Sequence, residues 1–378
     1  MSLLVRLSSY WCAFQQHLFP TIEEDLGPLG ERYQLFISVL EFVRVEQQLP
    51  CGRSLRGRPQ QDRAALARAF IAKAVFGIDT TRALRERLAN DRALRRLCGW
   101  ESIGAIPSEA TFSRAFAGFA ESALPSRLHE ALIENTMAEQ LVGHVSRDAT
   151  AIEGREKATP KPKQPAKPKR KRGRPRKGEE RPKEPTRLQR QQQMTLPEML
   201  DDLPQAWDVG SKRNAKGYKE SWIGYKLHID AGDGGIPLSC ILTSASVHDS
   251  QVAIPLATMT AARVSNLYDL MDAAYDAAEI RAHSESLGHV PIIDVNPRRD
   301  ADRKRELKRE AQARRTAGHV DAKEVRYRER STVERVNGRL KDEFGARQVR
   351  VRGHRKVLCH LMFGILALTV DQLLRFVN

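Results

Sequence analysis

Residues 327–341 read YRERSTVERVNGRLK, and the spacing within this stretch decides the fold. Tyr327, Arg330, Glu334 and Lys341 sit at offsets 0, +3, +7 and +14. At about 100° per helical residue these fall at about 0°, 300°, 340° and 320°, on one stripe roughly 60° wide. Val333, Val336, Leu340 and Phe344 form a second, apolar stripe about 100° away. Such a helix buries one face and presents a carboxylate flanked by two cations and a phenol on another. A lone acid between bases suits a site that holds a divalent metal and guides a polyanion. A solvated face laced with Arg–Glu pairs is the plainer alternative.

The pattern Y-x2-R-x3-E-x6-K resembles the signature of a large group of bacterial insertion-sequence transposases of the DDE type, and all four positions match. The resemblance implies an α/β fold: a ribonuclease-H-like mixed-sheet core. In that fold one acid sits on the first strand and a second on the fourth, and a third lies on a later helix packed beside them. It thus implies Asp148 (in HVSRDATAIEG), Asp272 (in YDLMDAAYD) and Glu334 (in STVERVNGRLK) as catalytic, metal-holding acids, at intervals of 124 and 62 residues. Asp272 competes with Asp269 and Asp276, which otherwise read as surface or turn residues. Asp272 is preferred because MDAAYD resembles the family's D-x-x-Y-D stretch. Phosphodiester cleavage needs an activated oxygen nucleophile and a stabilised leaving oxygen. Two Mg²⁺ ions, with Mn²⁺ able to substitute, supply both from a cluster of carboxylates. There is no Cys/His cluster to favour zinc.

Tyr327, Arg330 and Lys341 are implied to contact DNA phosphates: Arg forks across oxygens, Lys is a mobile point charge, and Tyr donates a hydroxyl. VGSKRNAKGYKESWIGYK, containing Lys212 and Arg213, also resembles the family and reads as a loop tracking DNA. In the pair His248–Asp249, His248 is placed near the metals and Asp249 is read as a helix N-cap. Some relatives carry a large β-rich insertion between the second Asp and the Glu. Here only 61 residues intervene and none is Trp, so no base-flipping pocket is carried over.

Composition agrees with a polyanionic partner. The chain has 378 residues, with 63 Lys+Arg against 47 Asp+Glu and a formal charge of +16. The length suffices for two or three domains. The apolar run Leu361–Val370 is ten residues long, too short to span a bilayer, so no membrane is expected. The N-terminus, with Arg6 inside its apolar stretch, lacks the pattern of a signal peptide. Five scattered cysteines exclude a disulfide framework and a zinc ribbon, which fits a reducing cytoplasm.

Residues 1–140 read as an all-helical domain, with Gly77 and Gly99 at helix ends and Ser108 as an N-cap. FGIDTTRALRERL and IPSEATFSRAF within it resemble the helical region that binds terminal DNA ahead of such cores. A helical packing or dimerisation domain is the alternative. Residues 141–154 read as the first core strand. Residues 155–195 read as a disordered basic, Pro-rich insert, since Arg155–Arg190 holds 16 Lys/Arg and 4 Glu with few large apolar residues. Its centre, KRKRGRPRKG, resembles an AT-hook through Arg172, Gly173, Arg174, Pro175 and Arg176, suited to a narrow A·T minor groove. A generic phosphate-binding linker is the alternative. Residues 196–378 complete the core: a strand hairpin over 221–247, a helix from 248, a strand and helix to 288, another strand, the motif helix and a long buried C-terminal helix.

The reading is a bacterial, nucleoid-associated DNA transposase. It cuts double-stranded DNA at the inverted-repeat ends of its element and joins the freed ends to target DNA, acting as a homodimer. Its rivals are a ribonuclease-H-like nuclease without strand transfer and a domesticated, non-cleaving DNA-binding protein.

Overall fold

The computed structural model describes residues 3–49, 61–156, 184–213, 216–298 and 300–376. Eight helices come first: α1 (Leu3–Ala13), α2 (Phe19–Leu26), α3 (Glu31–Val43), α4 (Arg63–Val75), α5 (Thr81–Asn90), α6 (Arg92–Cys98), α7 (Glu109–Glu121) and α8 (Leu124–Met137). Their starts are written in the sequence. Asp62, Thr80, Asp91 and Ser108 each accept a hydrogen bond from a backbone N–H in the first turn that follows. Gly99 closes α6 at φ 110°, a left-handed conformation that a side chain would resist.

The sheet follows: β1 (Leu141–Glu153), β2 (Asp208–Arg213), β3 (Lys219–Ala231), β4 (Pro237–Ser244), β5 (Ser265–Met271) and β6 (Val290–Ile293). β1 lies at its centre, antiparallel to β3 and parallel to β5, and β6 runs parallel to β5. The far edge of β3 is shared in sequence: β2 pairs with its first half and β4 with its second. This is the mixed sheet of a ribonuclease-H-like fold, as the sequence led us to expect. One face is covered by α11 (Ala253–Ala261), the other by α15 (Ser331–Asp342), and α12 (Ala278–Ser286) flanks β6. Alternation along β1 sends Arg147 towards Thr260 of α11 through Asp230, and Ser146 and Asp148 towards the motif helix.

The last helix, α16 (His354–Arg375), packs against α3, α4, α7, α8, α15 and β4 at once. Phe363 stacks on Phe70 of α4 at 5.8 Å between ring centroids. One hydrophobic cluster therefore runs from Phe36 and Leu66 of the N-terminal helices through Leu366 to Val145 and Leu227 of the sheet. Among the described residues α16 is the one helix long and apolar enough to cross a membrane, and it lies buried at the centre of this cluster.

Several sequence expectations need correction. The hairpin expected over 221–247 is β3 and β4, but residues 208–213, read as part of a loop, are a strand, because Val209 and Ile223 are matched across an antiparallel ladder. Within the segment 155–195 assigned to disorder, Arg187–Gln191 forms a helix, α9, and α10 (Leu196–Asp202) follows it. Each opens with a capping box, Thr186–Gln189 and Thr195–Glu198. Leu188, Met194 and Met199 pack in one apolar cluster with Ile254 and Met271. The AT-hook-like residues Arg172, Gly173, Arg174, Pro175 and Arg176 lie outside the described residues. A 17-residue helix, α13 (Ala301–Ala317), was not anticipated. The motif helix is also in two pieces: α14 (Ala322–Tyr327) and α15, joined by a 3-10 turn at Arg328–Arg330.

Candidate active site

Strand register brings two acids together. β1 and β5 pair in parallel with Ser146 opposite Leu270. Two residues further along, Asp148 stands beside Asp272, the residue just past the end of β5. Asp272 caps a short 3-10 turn, its Oδ1 accepting from the Ala274 N–H at 2.9 Å. Burial pushes the Asp148 carboxyl up to about 6; the Ala149 N–H opposes this, and the negative charges of Asp272 and Asp249 add to it. Burial also raises Asp272, with Asp249 and Asp294 adding and Arg330 opposing. The region is thus rich in negative charge and partly shielded from water, where like charges repel strongly.

The motif helix supplies the rest. Val333, Val336, Leu340 and Phe344 are buried, so the apolar stripe is the face that packs on β1 and β3. Glu334, in the first turn of α15, accepts from Arg330 Nη2 at 2.7 Å. Arg330 also lies in the field of Asp148 and Asp272. The Tyr327 hydroxyl donates to Asp294 Oδ2 at 2.8 Å, and the Arg330 guanidinium lies 5.7 Å from the Tyr327 ring centre. Lys341, two turns on, has its amine pushed down by burial and by the cations Lys212 and Arg347. Lys212 of β2 and Lys341 therefore share one basic end of the helix. The side chain of Arg213 lies outside the described residues.

Asp148 and Asp272 are brought together, whereas Glu334 is engaged with Arg330. Among the described residues no group of three or more His, Cys, Asp and Glu is gathered closely enough to hold an ion. The donor set nonetheless fits a hard divalent cation. It is all carboxylate oxygen, and the raised Asp148 marks a place short of positive charge.

Sequence reasoning missed several neighbours. Asn337, one turn after Glu334, is buried and points Nδ2 at Asp148 Oδ2, 3.5 Å away. Its Oδ1 is buried with no hydrogen-bond partner. Arg147 lies on the opposite face of β1 and is fully buried in a two-pronged ion pair with Asp230, both contacts at 2.7 Å. An arginine on an otherwise buried strand was the available signal for it. Asp249 is not a helix cap. His248 takes that place, its Nδ1 accepting from the Ser250 N–H, while Asp249 accepts from Lys226 Nζ at 2.9 Å. Asp269 is no surface residue either: it is buried and held by Ser284, His289 and Asn266. Asp276 is the turn acid expected, paired with Arg281 at 2.8 Å.

Comparison with protein families bears on the same residues. A family model described as Transposase DDE domain matches residues 147–370, from within β1 to within α16. The chain belongs to the DDE transposase family. A second model, Transposase domain (DUF772), matches residues 22–117, within the N-terminal helices of the transposase. No curated protein and no solved structure matches it. The first match thus begins within β1 and spans Asp148, Asp272 and Glu334, and α8 lies between the two matches.

Proposed function

We propose that this transposase cleaves DNA at the ends of its own element and transfers the freed strands to target DNA, with Asp148, Asp272 and Glu334 as the catalytic acids. The observation that carries the reading is the adjacency of Asp148 and Asp272 at the sheet centre, beneath the helix that bears Glu334. In the first step a water oxygen attacks the scissile phosphorus and the bond to the 3′ oxygen breaks, leaving a 3′ hydroxyl. In the second, that hydroxyl attacks a target phosphodiester, so one phosphodiester bond is exchanged for another.

The three acids would hold two Mg²⁺ ions, which supply activation of the attacking oxygen and neutralisation of the leaving one. The chain's own residues position the DNA. Arg330 exchanges its carboxylate partner for phosphate oxygens, releasing Glu334 towards the other two acids. Tyr327 donates its hydroxyl to the backbone, and Lys341 with Lys212 takes phosphates at the far end of the helix. The N-terminal helices and the basic segment around Arg172–Arg176 add contacts to element-end DNA. Two ends must be cut and joined together, so the acting form is at least a dimer.

The test is a cleavage assay on linear DNA carrying the gene's native flanking sequence, with Mg²⁺ or Mn²⁺, mapped at nucleotide resolution. The expected result is paired cuts at inverted repeats that disappear in Glu334→Ala and with a chelator. Unspecific nicking that still needs Glu334 would mean a nuclease. Binding without cuts, unchanged in Glu334→Ala, would mean a non-cleaving DNA-binding protein.

A further inference from the structure

Helix α13 lies between the second and third acids and buries none of its residues. It is nonetheless a well-specified helix. Asp300 Oδ1 accepts from the Asp302 and Arg303 N–H groups at 3.0 Å each, and Gly318 closes the far end at φ 62°. A helix that adds nothing to the core acts through its surface. That surface holds seven Lys/Arg and three acids, and three of the cations gather on one stripe. With Lys304 at 0°, Arg315 falls at about 20° and Lys308 at about 40°, while Asp302, Glu306 and Glu310 fall at about 160°, 200° and 240°. The acids thus stand opposite a cationic stripe.

The ion pairs take up Arg303, Arg305 and Arg314 on the flanks of the stripe, and among the described residues Arg309, at about 140° beside Asp302, has none. Arg303 pairs with Glu306 at 2.5 Å and Arg305 with Asp302. Arg314 pairs with Glu324 at 3.3 Å. Among the described residues Lys304, Lys308 and Arg315 have no ion pair. The partly covered residues Arg303, Leu307, Ala311 and Arg314 fall at about 260° to 340°, whereas Lys304, Lys308 and Arg315 are exposed.

We propose that the Lys304–Lys308–Arg315 face of α13 is a docking surface for the sugar-phosphate backbone of the target duplex. From Lys304 to Arg315 the stripe runs about 16 Å, and duplex DNA carries one negative charge per about 1.7 Å of axis. Flexible Lys and Arg stems neutralise phosphates without reading bases, and apart from Gln312 at about 80°, on one flank, the stripe has no amide side chain beside it. A contact indifferent to sequence suits the duplex into which an end is inserted, not the duplex whose repeat must be recognised. The position is also apt. The Tyr327–Asp294 hydrogen bond closes the segment that carries α13, so both its feet stand beside Asp272 and Arg330. This inference rests on the transposition reading above.

The test uses the full chain in chelator, so that no cutting occurs, and a random-sequence duplex a few helical turns long. Fluorescence anisotropy is followed as salt is raised. The combined variant Lys304→Ala, Lys308→Ala, Arg315→Ala is expected to bind at least about tenfold more weakly, with the log–log salt slope reduced by about 2 to 3. The exposed positions and alanine's helix propensity leave the fold intact. Neutralising the opposite face (Asp302→Asn, Glu306→Gln, Glu310→Gln) is expected not to weaken binding, and affinity for a duplex of the gene's native flanking sequence is expected to fall less. Unchanged affinity and slope in the alanine variant would overturn the proposal. So would a loss confined to the flanking-sequence duplex, or a changed oligomeric state by light scattering with DNA binding intact, which would make the face a contact between copies. Because binding is read without cleavage, failure of the cleavage assay and failure of this stripe are separate results.

Discussion

Asn337 is the side chain that ties the motif helix to the central strand. Its amide nitrogen reaches Asp148 while its oxygen is buried without a partner. Replacing it with alanine removes the group that orients the Asp148 carboxylate. Partners of this kind are worth about 10- to 100-fold in metal affinity or activity. We therefore expect Asn337→Ala to lower end cleavage by about that factor, to be partly rescued by raised Mg²⁺, and to leave random-duplex binding unchanged. A variant as active as wild type at limiting Mg²⁺ would refute this. Asp148, Asp272 and Glu334 could be singled out in the sequence because they stand in recognisable motifs, and the adjacency of the first two follows from the pairing of β1 with β5. Asn337 was not, because an asparagine on a helix carries no sign of which way it faces until the neighbouring strand is in place. The pairing of Asp249 with Lys226 was hidden for the same reason: 23 residues and a strand reversal separate them.

At the scale of elements, the long helix α16 meets the end of α15 at Gly364. A Cβ there would lie 2.5 Å from the Phe344 carbonyl oxygen, a backbone atom that cannot swing away. Gly364→Ala should thus force the two helices apart at a cost of about 1–3 kcal/mol, the usual range for overpacking. The check is a lowered thermal midpoint in the purified variant, whereas Gly338→Ala on the same pair of elements meets nothing within 4 Å and should not lower it. The apolar stripe of α15 and the burial of α16 were evident from periodicity alone, since Val333, Val336, Leu340 and Phe344 recur at helical spacing. β2 was not evident, because its SKR end is polar on both faces and it becomes a strand only by pairing with β3. α13 was missed because a helix that buries nothing has no hydrophobic period to find.

Across the whole molecule, buried polar groups make stability depend on conditions. His129 of α8 donates from Nε2 to the Pro237 carbonyl at 3.0 Å, which joins the N-terminal helices to the sheet. Burial, with Arg263 adding, holds its pKa down to about 3, and burial with Lys73 holds His360 down to about 4. In the unfolded chain both histidines titrate near 6.5. Below that pH the unfolded chain binds protons that the folded one refuses, so stability is full above about 6.5 and is lost as pH falls towards the folded values. The slope is at most about 1.4 kcal/mol per pH unit for each histidine. We expect the thermal midpoint to fall from pH 7 to pH 5 and His129→Gln, which keeps a donor, to flatten the fall; a parallel pH profile in the variant would refute this. Asp230→Asn should cost about 3–5 kcal/mol, because it leaves the Arg147 charge buried without its partner; chemical denaturation would measure it. That pair spans 83 residues, and such separations are what the sequence left unread. The strands β1, β3, β4, β5 and β6 were legible from motif and pattern, but not which polar groups would meet across them.

The shared core of the N-terminal helices and the sheet also constrains how this protein can change. A recognition module joined to an enzyme by a linker can be traded for another in a single recombination event. Here, Phe70 and Phe363 belong to one packed interior, and replacing the first hundred residues would expose the last helix to water. Under the proposed role of these helices at element-end DNA, altered sequence preference must then come residue by residue on their outer faces, because their inner faces are fixed, so lineages of this protein should diverge by drift of specificity and not by exchange of parts.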